Sequence, residues 1–171
     1  LQRYFSIMVR QKVEYVCMEV SAHAIDLKKI CGIRFVVCVF TNLTEDHLDY
    51  FKNLQRYFAA KTKVFSRVFT SFALINIDDD YGKKLCESIN ITFKTYAINN
   101  DADVVASNIQ RQGISQSFKV ENIDYVLNLA GKFNVSNALA VIMVCKELGV
   151  AEDIIKAGFQ QIERIEGRFN S

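Results

Sequence analysis

The stretch "TNLTEDHLDY", residues 41–50, follows directly on the apolar run "IRFVVCVF", residues 33–40. It carries Asn42, Glu45, Asp46, His47 and Asp49. A plain loop needs polarity, but it does not need this set. Carboxylates, an imidazole and a carboxamide at the end of a buried strand are what a metal or phosphate site requires. Hard cations take carboxylate oxygens and share them with phosphates. Two more polar clusters have the same setting: Glu19 and Ser21 close "VEYVCMEV" (13–20), and Asn76, Asp78 and Asp79 close "FALINI" (72–77).

Each candidate has a plain reading beside the chemical one. Glu19 is either a strand-end charge reaching water or a magnesium ligand. The two histidines are His23 and His47, and His47 is the stronger candidate because Asp46 and Asp49 flank it. Lys61 shares a helical stripe with Phe58 and Phe65. It reads as a lysine laying its stem on apolar surface, or as one held in a cleft, able to bind phosphate or be modified. Asn134 and Asn137 lie one turn apart at a helix start, as a cap or as a base-recognising carboxamide. Arg168, beside Gly167, is a phosphate-binding or a surface arginine.

Strands and helices alternate in the elements that must position these groups. Helical spacing runs through "LQRYFSIMVRQK" (1–12). Residues 13–20 read as a strand, and 21–30 as a short helix capped by Ser21. Residues 33–40, apolar on both faces, read as a parallel and central strand. A helix is expected over 53–69, a strand over 72–77, a helix over 79–89 and a strand over 92–98. Residues 102–129 show short alternating segments punctuated by Gly and Asn, suggesting antiparallel strands. Helices follow over 134–150, ending at Gly149, and over 151–163. The expected fold is α/β: a mostly parallel sheet flanked by helices, with a small antiparallel portion. Ligands of such sheets bind beyond the carboxyl ends of the strands, so the three polar clusters should face one crevice.

Composition narrows the partners. The 171 residues carry a net charge of +2, with Lys and Arg scattered among Asp and Glu, which argues against nucleic acid. No apolar stretch has the length of a membrane span. The five cysteines, at 17, 31, 38, 86 and 145, form no CxxC pair. Cys17, Cys38 and Cys145 lie in apolar runs, where cysteine acts as a small hydrophobe. A zinc site or disulfide framework is not expected, and a reducing cytoplasm fits.

The motifs "MEVSAHAI", "VFTNLTEDHLDY", "YFAAKTKVF", "INIDDDYG", "GKFNVSNALA" and "GRFN" occur in that order. In this ordered set the chain resembles the central, ATP-binding domain of the Mur ligases, of the MurE type, over nearly its whole length. Residues 18–65 carry the most specific part. The resemblance implies ATP, magnesium, a UDP-N-acetylmuramoyl-dipeptide and an amino acid as reactants, with an amide formed through an acyl phosphate. By the same resemblance Glu19 is a magnesium ligand, His47 a second metal ligand and catalytic residue, and Lys61 a catalytic lysine carried as a carbamate that helps hold magnesium. Asn42 belongs to the metal and phosphate crevice, Asn134 and Asn137 to the adenine, and Arg168 to the ATP phosphates and ribose. Ser21 and Lys29 fall where the family contacts the muramoyl substrate.

Departures from the pattern bear on substrate contacts. A second serine of the family motif is Ala22, an arginine is Lys29, a His-Gly pair is Phe51-Lys52, and a glutamate is Asn170. Lysine in place of arginine keeps charge but loses the bidentate fork. Residues 1–171 read as part of the central domain, both ends resembling cuts. The phosphate loop G-T-x-G-K-T/S is expected before Leu1, along with a uridine-nucleotide domain, and a further domain is expected after Ser171. Two other readings stay open: a truncated copy acting as a non-catalytic binding module, and a related ligase such as folylpolyglutamate synthetase. The choice of amino acid lies outside these residues. The chain by itself is expected to show no ligase activity, and robust turnover by the purified 171-residue chain would overturn that expectation.

Overall fold

A computed structural model of the chain describes residues 1–45 and 48–162. Among these, six strands form one sheet in sequence order: β1 (Cys38–Phe40), β2 (Phe72–Asn76), β3 (Thr92–Ala97), β4 (Val104–Gln112), β5 (Ser115–Val120) and β6 (Ile123–Leu127). The pairs β1–β2, β2–β3 and β3–β4 are parallel, and β4–β5 and β5–β6 are antiparallel. The expected mixed sheet is therefore present, with its antiparallel portion at 104–127.

The parallel half is covered on both faces, and the period of two along each strand sorts the side chains. Cys38, Phe40, Ala73 and Ile75 face one core. That core is closed by α2 (Ala22–Asp26), α4 (Leu54–Thr62) and α5 (Asp80–Ser88) through Ile25, Tyr57, Ala60 and Leu85. Val37, Val39 and Leu74 face the other core, closed by α6 (Lys132–Glu147) and α7 (Glu152–Gln161) through Leu139, Ile142 and Phe159. Leu74 and Ile75 are adjacent and both essentially inaccessible, so β2 is buried on both sides. Two short helices, α1 (Gln2–Arg10) and α3 (Leu48–Phe51), complete the described elements.

Three expectations change. Residues 13–20 are extended but join no strand, and Val13, Tyr15 and Val16 are exposed. Apolar and β-branched composition suits a pleated surface, yet a strand also needs a hydrogen-bonded neighbour. The run 33–40 contributes only β1 and an isolated parallel bridge, Phe35 to Thr70. Among the described residues it lies at an edge of the sheet rather than its centre, and Val36 is exposed. The helix expected over 53–69 ends at Thr62, although its buried stripe continues through Val64 and Phe65 in the following turns. Its start is set by Asn53, whose carboxamide oxygen accepts from the Arg56 N–H at 2.9 Å.

The link between β3 and β4 is short for parallel neighbours, which ordinarily need a long crossover. Their register covers two pairs, Tyr96–Val104 and Ala97–Val105. Side chains hold the turn in place of length. The Asp103 carboxylate accepts from both the N–H and the hydroxyl of Thr95, each at 2.7 Å, and the Thr95 hydroxyl accepts from the Asp103 N–H.

Gly82 marks the tightest contact between helix and sheet. A Cβ built there would lie 1.9 Å from the Asn76 carbonyl oxygen. Alanine in a helix is ordinarily worth up to about 1 kcal/mol over glycine, but here it would collide with backbone. Gly82→Ala is expected to destabilise by roughly 1–3 kcal/mol, read as a lower urea midpoint at unchanged m-value. A midpoint raised or unchanged would show that the contact is not tight.

Candidate nucleotide and metal crevice

The C-terminal ends of β1 and β2 adjoin, and the chain leaving β1 runs across the end of the sheet. Four consecutive residues there are tied by side chains from four different elements. The buried Tyr96 hydroxyl, on β3, donates to the Phe40 carbonyl at 3.3 Å. The Asn76 carboxamide, at the end of β2, donates to the Thr41 carbonyl at 2.8 Å. The Lys61 ammonium, on α4, donates to the Asn42 carbonyl at 2.8 Å. The Leu43 N–H donates to the Asp79 carboxylate at 3.1 Å. These bonds satisfy backbone groups at the end of the β1 ladder and just beyond it, as half-buried backbone requires.

Asp79 does two jobs. Its other oxygen accepts from the N–H groups of Tyr81 and Gly82, capping α5. The acidic cap also suits the positive end of the helix dipole. Asn76 is buried and likewise fully engaged. Its carboxamide oxygen accepts from the Asp78 N–H at 3.0 Å, and its amide group also reaches the Ser136 hydroxyl at 3.4 Å. That last contact brings the first turns of α6 to the same crevice.

Lys61 is half-buried, and its ammonium lies 5.6 Å from the Phe40 ring centre and 5.9 Å from that of Tyr57. Burial pulls its pKa down, against the opposing pull of the Asp79 and Glu19 carboxylates. It borders an apolar cleft of about 490 Å³ between the extended segment 14–20 and residues 33–39. Glu19 itself is exposed. Glu19, Asn42 and Lys61 are thus gathered in one region.

The other candidates divide. Ser21 caps α2, its hydroxyl accepting from the Ala24 N–H at 3.2 Å. Lys29 is exposed in the turn after α2. Asn134 is buried and donates to the Ala130 carbonyl at 2.7 Å, while Asn137 is exposed. Neither asparagine caps α6, because Gly131, at φ 102°, holds that position. His47 and Arg168 lie outside the described residues, as does Asp46. The five cysteines are free. Cys17 is exposed, contrary to its apolar setting in sequence. Cys38 is buried, which pushes its thiol up to about 11 and keeps it a protonated hydrophobe.

Magnesium commonly takes one or two protein carboxylates and completes its octahedron with phosphate and water oxygens. Among the described residues no three His, Cys, Asp or Glu side chains cluster to cage a metal. One accessible carboxylate, Glu19, whose charge acts on Lys61, fits an ion that arrives with phosphates rather than a resident one. No helix among the described residues is long and apolar enough to cross a membrane.

Known proteins share this fold. The family model described as the Mur ligase middle domain matches residues 1–145. The chain belongs to the Mur ligase family. Its relatives include the UDP-N-acetylmuramoyl-L-alanyl-D-glutamate--2,6-diaminopimelate ligase of Clostridium botulinum, 36% identical over 98% of this chain and 35% of that protein. The chain thus spans about a third of the length of the curated relatives it matches. A solved UDP-N-acetylmuramoyl-L-alanyl-D-glutamate--2,6-diaminopimelate ligase shares the fold at a TM-score of 0.76 and 22% identity, over 88% of this chain and 33% of that one. A MurF ligase from Thermotoga maritima, solved in complex with ADP, shares it at 0.67 and 20%, over 88% of this chain and 35% of that one. Mur ligases are ATP-dependent.

Sequence reading singled out Asn76, Asp78 and Asp79 only as a strand-end cluster, and their separate tasks emerge in three dimensions. Asp78 accepts from the N–H groups of Ile98 and Asn99 and from the Asn100 carboxamide, at 2.6–2.9 Å. Burial opposes its ionisation, but those bonds and nearby Lys132 outweigh it and hold the carboxyl below its usual range. The unfolded chain therefore binds this proton more tightly. The stabilisation is complete above the unfolded-state value, near 4, and is lost as pH falls through the lower folded-state value. Asp78→Asn is expected to cost about 1–3 kcal/mol at pH 7 and markedly less near pH 3, compared by urea unfolding at the two pH values. An equal cost at both would rule out the charge as the source.

Proposed function

We propose that this chain is part of an ATP-dependent ligase that adds the third amino acid to UDP-N-acetylmuramoyl-dipeptide in peptidoglycan precursor synthesis, in the cytoplasm. In the relatives' own names that amino acid is 2,6-diaminopimelate. The observation that carries the reading is the gathering of Lys61, Glu19 and Asn42 beyond the ends of β1 and β2, with Lys61 bonded to the Asn42 carbonyl. In this reading the substrate carboxylate is phosphorylated by ATP, and the incoming amine displaces phosphate from the acyl phosphate. Carboxylate is a poor electrophile, and phosphorylation supplies the leaving group. Phosphoryl transfer asks the protein mainly for positioning and charge neutralisation.

Residue roles follow that demand. Glu19 holds magnesium, with His47 as a ligand of a second ion. Magnesium, when bound, neutralises phosphate charge. Asn42 lines the phosphate crevice, and Asn134 and Asn137 approach the adenine. Arg168 serves the phosphates and ribose, and Ser21 and Lys29 the muramoyl substrate. Lys61 is the group whose charge must change. Its depressed pKa favours loss of one proton to water to give the neutral amine, which adds to carbon dioxide: the C–N bond forms, a second proton leaves to water, and the cation has become an anion. The carbamate nitrogen keeps one hydrogen, enough to retain the bond to the Asn42 carbonyl.

The first measurement is the DNA on both sides of this segment, followed by assay of the complete reading frame with ATP, magnesium, muramoyl dipeptide and amino acid. An in-frame phosphate loop and substrate-dependent phosphate release support the reading. Release with a folate instead of the muramoyl dipeptide would replace it with the folylpolyglutamate alternative. In the complete protein, Lys61→Ala is expected to lower kcat by about a hundred-fold or more. It should also abolish a carbamate carbon signal in the protein equilibrated with ¹³C-bicarbonate. Full activity in that variant would remove Lys61 from the mechanism.

A further inference from the structure

The four bonds to residues 40–43 come from side chains that differ in what else they touch. Tyr96 and Asn76 are buried, and Asp79 is half-buried at the first turn of α5. None is a strand-end charge reaching for water. All three spend a polar atom on backbone leaving the edge strand, while the Asn42 side chain in the middle of that backbone is exposed. Burying a tyrosine hydroxyl and a carboxamide costs stability unless each is bonded. Here each bond ends on the same four-residue stretch. An edge strand that leaves its sheet after three residues would otherwise carry its continuation as a loose loop.

We propose that Tyr96, Asn76 and Asp79 are positioning residues, which lock the backbone of residues 40–43 so that Asn42 and the lysine bonded to its carbonyl meet the nucleotide phosphates in one geometry. The role rests on the reading of the crevice proposed above. The locking elements are distinct: β3 holds Phe40, β2 holds Thr41, α4 holds Asn42 and the cap of α5 holds Leu43. The stretch therefore cannot shift without breaking bonds to several packed elements at once. Placement at this level matters because displacements near 1 Å cost phosphoryl and acyl transfer steeply.

Two conservative substitutions separate positioning from folding. Asp79→Asn keeps an oxygen to cap α5, since asparagine is as good a cap, but turns an NH₂ toward the Leu43 N–H. Tyr96→Phe keeps the ring in the core and deletes only the hydroxyl. Leu85→Val, in the same core as Phe40 and Leu43 but in none of the four bonds to the stretch, serves as a control for lost stability. In the complete protein, amide exchange should accelerate about ten-fold or more at Leu43 in Asp79→Asn, and not in Leu85→Val. In the complete protein, both conservative variants should lower kcat by about ten- to a hundred-fold and raise the KM for magnesium–ATP. The KM for the muramoyl dipeptide should stay within about two-fold, since no contact to that substrate is touched.

Unchanged Leu43 exchange in Asp79→Asn overturns the lock. Faster exchange with unaltered magnesium–ATP kinetics overturns the positioning role, as does an equal kinetic loss in Leu85→Val. Failure of the underlying ligase reading looks different: the unsubstituted complete protein would itself show no turnover, whereas failure of this inference appears only in the variants.

Discussion

Everything proposed for this chain depends on how four peptide groups at and just beyond the end of β1 are held. A strand at the edge of a sheet presents unpaired backbone, and its continuation has no ladder to join. Here the hydroxyl of Tyr96, the carboxamide of Asn76, the ammonium of Lys61 and the carboxylate of Asp79 take the place of that ladder. Each bond is modest alone, of order 1 kcal/mol net and more for the charged pair members. Their effect is geometric: four separately packed elements agree on the path of one short segment.

The packing beneath explains why those donors and acceptors stay in place. β2 is buried on both faces, so Asn76 at its end is carried by a strand packed between both cores. Gly82 lets α5 rest directly on the Asn76 carbonyl, which sets the Asp79 cap against the loop after β1. Tyr96 lies in β3 with its ring in the second core, so its hydroxyl reaches across β2 to Phe40. On the far side, Gln116 is buried and donates to the carbonyls of Leu129 and Gly131, fixing the approach to α6. The crevice is thus framed by groups whose polar atoms are engaged, while Glu19, Asn42 and Asn137 remain exposed.

Electrostatics at Lys61 has the same dependence on the frame. Burial disfavours its charge, and the carboxylates of Asp79 and Glu19 restore part of it. Asp79 is committed to the α5 cap and to Leu43, so it cannot follow the lysine. A lysine in such a place is suited to changing its charge state by reaction, in a way that a solvated surface lysine is not. The ring centres of Phe40 and Tyr57 lie 5.6 and 5.9 Å from its ammonium, which donates to the Asn42 carbonyl.

The strand over 72–77, the helix after it, the cap at Ser21 and the antiparallel run after residue 102 were legible in the sequence. Each of these rests on local spacing and capping chemistry. So was membership of the Mur ligase family, because ordered motifs carry it. The sequence could not tell that residues 13–20 would lack a strand partner, or that "IRFVVCVF" would lie at an edge, since pairing depends on neighbours distant in the chain. Asn134 and Asn137 sat where a cap was expected, yet Gly131 took that place, and only the backbone angle there decides it. Tyr96 stood unnoticed in "TFKTYAI", since nothing local links a strand tyrosine to a carbonyl 56 residues earlier. Residue types determined which chemistry was possible. The tertiary structure alone decided which side chains hold the segment and which are left exposed, because hydrogen bonds between distant elements exist only once both cores have packed.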